Sequence, residues 1–168
     1  MKINFNLGCY MNYMELEKLI KKIVGLKLDT IRHACEMLMF NFEQYALHVQ
    51  CLTRIIKDDD ILLTTLDYQS WDGKYEENND EYYNLNKYKM EIEGGKVLSV
   101  EVNSLCDIFI ALDNGVTIQV LIQNSYAHYN EENEQYRFFE ASDDEMKDEK
   151  LPPHYVVYNK HIEIHGEY

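Results

Sequence analysis

The sequence has no apolar run long enough to span a bilayer, and its opening residues, MKINFNLGCYMNYMELEK, lack the continuous apolar core of a secretory signal. The expectation is a soluble, cytoplasmic protein. Its four cysteines, Cys9, Cys35, Cys51 and Cys106, are widely spaced and form no C-x-x-C pair, so reduced thiols are expected rather than a disulfide framework. Cations are scarce: 16 Lys and Arg stand against 30 Asp and Glu, a net charge of −14. Such a balance opposes binding to phosphate backbones and anionic membranes, which excludes nucleic acid and lipid surfaces as direct partners. Nucleotide-binding glycine patterns, the nucleophile elbow G-x-S-x-G and calcium loops are also absent. Asp58-Asp59-Asp60 lacks the glycine and terminal glutamate that a calcium loop needs. No cofactor is expected.

What is present is an apolar pattern organised for a sheet. The stretch 107–123, DIFIALDNGVTIQVLIQ, specifies a β-hairpin down to its register. A two-residue Asn114-Gly115 loop would oppose Leu112 with Thr117 and mix apolar with polar side chains on both faces. A three-residue loop, with Gly115 in the left-handed conformation, opposes Leu112 with Val116 and Ile110 with Ile118. Ile108, Ile110, Leu112, Val116, Ile118, Val120 and Ile122 then share one face, which implies a layer packed against it.

Around this ribbon, Asn12 with Glu15 forms a capping-box pattern that starts a helix over about Tyr13 to Val24, with Leu16, Leu19, Ile20 and Ile23 at helical spacing and Gly25 after it. Strands are expected over Leu26–Cys35, Met37–Phe42, Tyr45–Ile56, Ile61–Tyr68, Lys96–Val102, Tyr136–Glu140 and His154–His165. Residues 82–93 fit a helix through Leu85, Tyr88 and Ile92, and fit a strand through Tyr88, Met90 and Ile92. Consecutive hairpins with one amphipathic helix predict an α+β fold, a mainly antiparallel sheet with the N-terminal helix packed on it. At 168 residues, 1–168 is the size of a single domain that buries about 70% of its unfolded surface.

Three constellations carry chemistry. His161, Glu163 and His165 alternate on a terminal strand, so two imidazoles and a carboxylate share a face that could hold a divalent metal; the plain alternative is a polar outer face with Ile162 and Ile164 inward. His48, Gln50 and Arg54 share the face of the expected Tyr45–Ile56 strand and, with Asp67 or Asp72, could bind an anion or move a proton, or simply form a polar network. The third is acidic and aromatic. Residues 57–82 carry two Lys against nine Asp and Glu, residues 131–150 three Lys and Arg against nine, and the chain has fourteen tyrosines. Asp58, Asp59, Asp60, Tyr75, Glu76, Glu77, Tyr82, Tyr83, Glu131, Glu132, Asp143 and Asp144 suit a basic protein partner, tyrosines anchoring and carboxylates steering; solvated loops kept acidic for solubility are the alternative.

In order and spacing, EMLMFNF at 36–42, YALHVQCLTRI at 45–55, DIFIALDNGVTIQVL at 107–121 and YRFFE at 136–140 resemble a loose group of small uncharacterised bacterial α+β proteins, similar in style to the immunity proteins that neutralise polymorphic toxins. The chain departs from that group at Thr53 and Tyr136, where tryptophan is frequent. The resemblance implies no activity and no site residues. The resulting expectation is a non-enzymatic, acidic protein-binding module; a small metal-dependent enzyme or metal-binding protein and a homo-oligomer joined through a strand edge are the rivals.

Overall fold

The computed structural model describes residues 11–34, 36–123, 133–141, 152–159 and 161–166. The fold is α+β, and its described residues form two antiparallel sheets and two α-helices. The N-terminal helix α1 (Tyr13–Ile20) starts on the expected capping box: the Asn12 side chain accepts from the Met14 and Glu15 N–H groups, and Glu15 reaches back to the Asn12 N–H at 3.1 Å. It tightens into a 3₁₀ turn at Lys21–Ile23 rather than continuing to Val24, and buries Leu16, Ile20 and Ile23.

The first sheet has the order β1-β2-β3-β9-β10-β11, with β1 at Thr30–Ala34, β2 at Met37–Phe42, β3 at Tyr45–Val49, β9 at Glu134–Glu140, β10 at His154–Tyr158 and β11 at Ile162–His165. The second has the order β5-β4-β8-β7-β6, with β4 at Leu52–Lys57, β5 at Asp60–Thr64, β6 at Val97–Val102, β7 at Ile108–Leu112 and β8 at Thr117–Leu121. Phe40, Phe42, Leu47, Tyr136 and Phe138 from the first, and Ile55, Ile108, Ile110, Ile118 and Val120 from the second, belong to one contiguous buried cluster.

The central ribbon takes the three-residue turn. Ile110 faces Ile118 and Ala111 faces Thr117, Leu112 donates its N–H to Val116 O at 2.8 Å, and Gly115 sits at φ +83°. Other expectations are corrected. Tyr45–Ile56 is not one strand: at Gln50 and Cys51 the chain leaves the first sheet for the second, both N–H groups bonding Gln135 O at 2.8 and 3.1 Å. A single carbonyl thus serves two donors at a corner, which alternation along the sequence does not register. Leu26–Cys35 shortens to β1, preceded by one isolated bridge between Lys27 and Lys96. His154–His165 divides into the hairpin β10-β11, and the segment after β5 winds into a 3₁₀ turn, Thr65–Ser70, capped by Thr64 and Asp67.

Residues 82–93 are helical, within α2 (Asp80–Ile92), because Asn79 caps the chain there by accepting from the Glu81 and Tyr82 N–H groups. Helix α2 packs against β5 of one sheet and β1 of the other, closing one side of the core, while α1 packs against β6, where Glu17 accepts from the Val102 N–H. No helix of the described residues is long and apolar enough to cross a membrane.

Candidate functional site

The acidic and aromatic residues gather around α2. At the tip of the β4–β5 hairpin, Asp58 (φ 49°) and Asp59 (φ 65°) form a two-residue turn in the left-handed region, which aspartate tolerates better than most side chains. Asp58, Asp59 and Asp60 are exposed. Beside them a cleft of about 320 Å³ is lined by Asp58, Asp60, Ile61, Tyr88 and Glu91, and Lys57 Nζ lies 3.3 Å from Glu91.

At the other end of α2 the chain is held by its own polar side chains. Trp71 Nε1 donates to Tyr75 O at 2.9 Å, and its ring lies 5.6 Å from that of Tyr68. Asp72 accepts from the Lys74 N–H at 2.9 Å and from Asn78 Nδ2 at 2.8 Å, and these bonds hold its carboxyl below the ordinary range. Ser70 Oγ accepts from the Asp80 N–H at 2.8 Å, tying this loop to the start of the helix. The loop is thus fixed with its aromatic residues outward, Trp71 37% exposed and Tyr75 62%, and Tyr83 on the first turn of α2 is 56% exposed beside them.

Of the residues expected to meet a partner, Asp58, Asp59, Asp60, Tyr75, Glu76, Glu77 and Tyr83 are exposed on the elements that flank or form α2. Tyr82 is not: it turns inward and meets the edge of the His33 ring at 5.5 Å. Glu131, Glu132, Asp143 and Asp144 lie outside the described residues. The sequence reading missed Ile61 and Leu66, both exposed beside the carboxylates, and Glu81, which is fully buried. Glu81 was legible once residues 80–92 are taken as a helix, since it shares the inward stripe of Leu85 and Ile92.

The C-terminal triad does come together. Glu163 Oε1 lies 2.9 Å from His161 Nε2 and Oε2 lies 2.8 Å from His165 Nε2, and these bonds draw the Glu163 carboxyl below its usual range. Each imidazole engages a different oxygen, because alternate side chains along a strand stand about 6.6 Å apart. Among the described residues no group of three or more His, Cys, Asp or Glu is arranged to hold a metal ion. Across the hairpin His154 pairs with His165, and its ring stacks on Phe139 at 4.1 Å.

The His48, Gln50, Arg54 face is dismantled by the corner at Gln50. His48 lies on β3, edge-on to Phe139 at 4.9 Å, whereas Arg54 lies on β4 in the other sheet and donates to Gln119. Burial first, then the Arg137 charge, push the His48 imidazole down, and His154 likewise. Arg137 itself is engaged by both oxygens of Glu134. Neither thiol among the described residues is activated as a nucleophile: burial pushes Cys51 up to about 12 and raises Cys106, with the Asp107 charge adding in the same direction. Cys106 lies with Met11, Leu105, Ile122, Tyr158 and Ile162 on the wall of a cavity of about 770 Å³, where this raised thiol favours packing over chemistry. No family model, curated protein or solved structure matches the chain.

Proposed function

We propose that this protein is a non-enzymatic binding module that receives a basic protein partner on the acidic, aromatic surface around α2, in the manner of an immunity protein acting where thiols stay reduced. One observation carries the reading. Six of the eleven exposed large apolar side chains among the described residues, Ile61, Leu66, Trp71, Tyr75, Tyr83 and Met90, fall within 61–90, the stretch that also presents Asp72, Glu76, Glu77 and Asp80. Exposed aromatic anchors amid carboxylates combine desolvation energy with charge steering, whereas a merely solubilising loop has no use for exposed tryptophan and tyrosine. The fixed geometry of the Trp71–Asn78 loop spares a partner the entropy of ordering it.

The test is capture from the native lysate on the immobilised chain, at about 0.05 M and about 0.5 M salt. The reading expects a basic protein retained at low salt, weakened at high salt, and lost from a Tyr75→Ser, Tyr83→Ser double variant and from an Asp58→Asn, Asp59→Asn, Asp60→Asn triple variant. Retention unchanged in both variants would overturn it.

A further inference from the structure

We propose that Glu81 is a proton-controlled latch that holds the start of α2, and the aromatic loop tied to it, against the sheets, and releases them on ionising. The claim that this matters for a partner rests on the reading above; the latch itself concerns the chain alone. Glu81 is fully buried, and neither carboxyl oxygen has a hydrogen-bond partner among the described residues. The helix start offers it no relief, because the Glu81 and Tyr82 N–H groups both donate to Asn79 Oδ1.

Among the described residues, no Lys or Arg faces it from the elements packed on α2. The Thr65–Ser70 turn brings Asp67, whose Oδ2 accepts from the Thr64 N–H at 3.1 Å and Asn84 Nδ2 at 3.3 Å, and Tyr68. The turn after β1 brings Glu36. β1 itself brings His33, whose Nδ1 is buried without a partner, while Arg32 is exposed on the opposite face of that strand. The 3₁₀ turn Glu76–Asn78 carries Glu76 and Glu77, both exposed, and β5 contributes Leu62 and Leu63, with Asp60 exposed at its start.

A carboxyl so placed keeps its proton, since an ionised form would be buried beside two further carboxylates with no hydrogen bond. Burial, then Asp67 and Glu36, raise Glu81 from 4.5 to about 7. The sign follows directly. The open state ionises at the ordinary carboxyl pKa and the closed state only near pH 7, so closure is fully favoured below about pH 4.5 and loses ground as pH rises to about 7. Between pH 5 and pH 9 the opening equilibrium shifts on the order of a hundredfold.

The chain's single tryptophan, Trp71, lies in the loop that Ser70 ties to Asp80, so it reports the latch without a label. Trp71 emission titrated from pH 5 to pH 9 should change with a midpoint near 7, and amides of 66–92 should gain exchange over the same range, after correction for intrinsic rates, while those of β3 and β9 stay protected. Glu81→Gln, nearly isosteric and without charge, should abolish both changes, and Asp67→Asn should move the midpoint lower. A flat wild-type titration, or the same transition persisting in Glu81→Gln, overturns the proposal. Because these readouts need no partner, a failed latch is distinguishable from a failed capture.

Discussion

Replacing Gly115 by alanine isolates the one backbone conformation on which the central ribbon depends. Gly115 sits at φ +83°, and a Cβ placed there meets no atom within 4 Å. The substitution therefore carries the left-handed cost alone, about 1–2 kcal/mol, offset by about 0.4–1 kcal/mol from the stiffer unfolded chain. A net loss of about 1 kcal/mol is expected. Gly95→Ala is the steric counterpart: its Cβ would stand 2.7 Å from Asn114 Cγ and Oδ1. That amide donates to Glu91 O at 2.9 Å and accepts from the Val116 N–H at 3.2 Å, so displacing it loses bonds worth about 2 kcal/mol together. In urea, with a slope of about 2 kcal/mol/M, midpoints should fall by about 0.5 M for Gly115→Ala and about 1 M for Gly95→Ala. Removing the Asn114 side chain should absorb most of the Gly95→Ala penalty in a double-mutant cycle and leave that of Gly115→Ala intact. If Gly115→Ala proves stabilising, the turn does not use a left-handed residue, and the pairing of Ile110 with Ile118 fails with it.

Other outcomes follow from single contacts. Tyr136→Phe removes a fully buried hydroxyl that donates to Cys106 O at 2.7 Å and pins Cys106 at φ 67°; a loss of about 1–2 kcal/mol is expected, and unchanged urea stability would refute it. Because burial and Arg137 depress His48 and His154, their contribution is complete above about pH 6.5 and is lost as pH falls toward their folded values. Stability should therefore decline from pH 7 to pH 5 more gently in His48→Gln than in the native chain, and parallel curves would refute the assignment. Glu163→Gln should change stability at pH 7 by under about 0.5 kcal/mol, since its two imidazole contacts are on an exposed edge strand, and a larger thermal shift would show a deeper structural role.

Local patterns reached far into this fold. The capping box at Asn12 and Glu15, the three-residue turn at Gly115 and the alternation along β2 and β7 are written in neighbouring residues, because each depends on hydrogen bonds or faces within a few positions. Residues 82–93 were ambiguous for the opposite reason: Leu85, Tyr88 and Ile92 suit a helix while Tyr88, Met90 and Ile92 suit a strand, and what decides for helix is the Asn79 cap and the packing of α2 between β5 and β1. The candidate surface was half legible. Its charge and tyrosines could be read directly, but the inward turn of Tyr82 and the outward placement of Ile61, Leu66 and Trp71 follow from how α2 seats on its neighbours.

By itself the sequence determined the central hairpin, its three-residue turn and the apolar faces of its strands, since these rest on side-chain period and turn chemistry. Only the tertiary structure decided that the strand through Gln50 divides between two sheets, separating His48 from Arg54, and that the buried Glu81 feels the charges of half-buried Asp67 and exposed Glu36. Both depend on contacts between residues distant along the chain. Helical spacing marks Glu81 as inward-facing, but which charges surround it is a property of the assembled environment that no local pattern encodes.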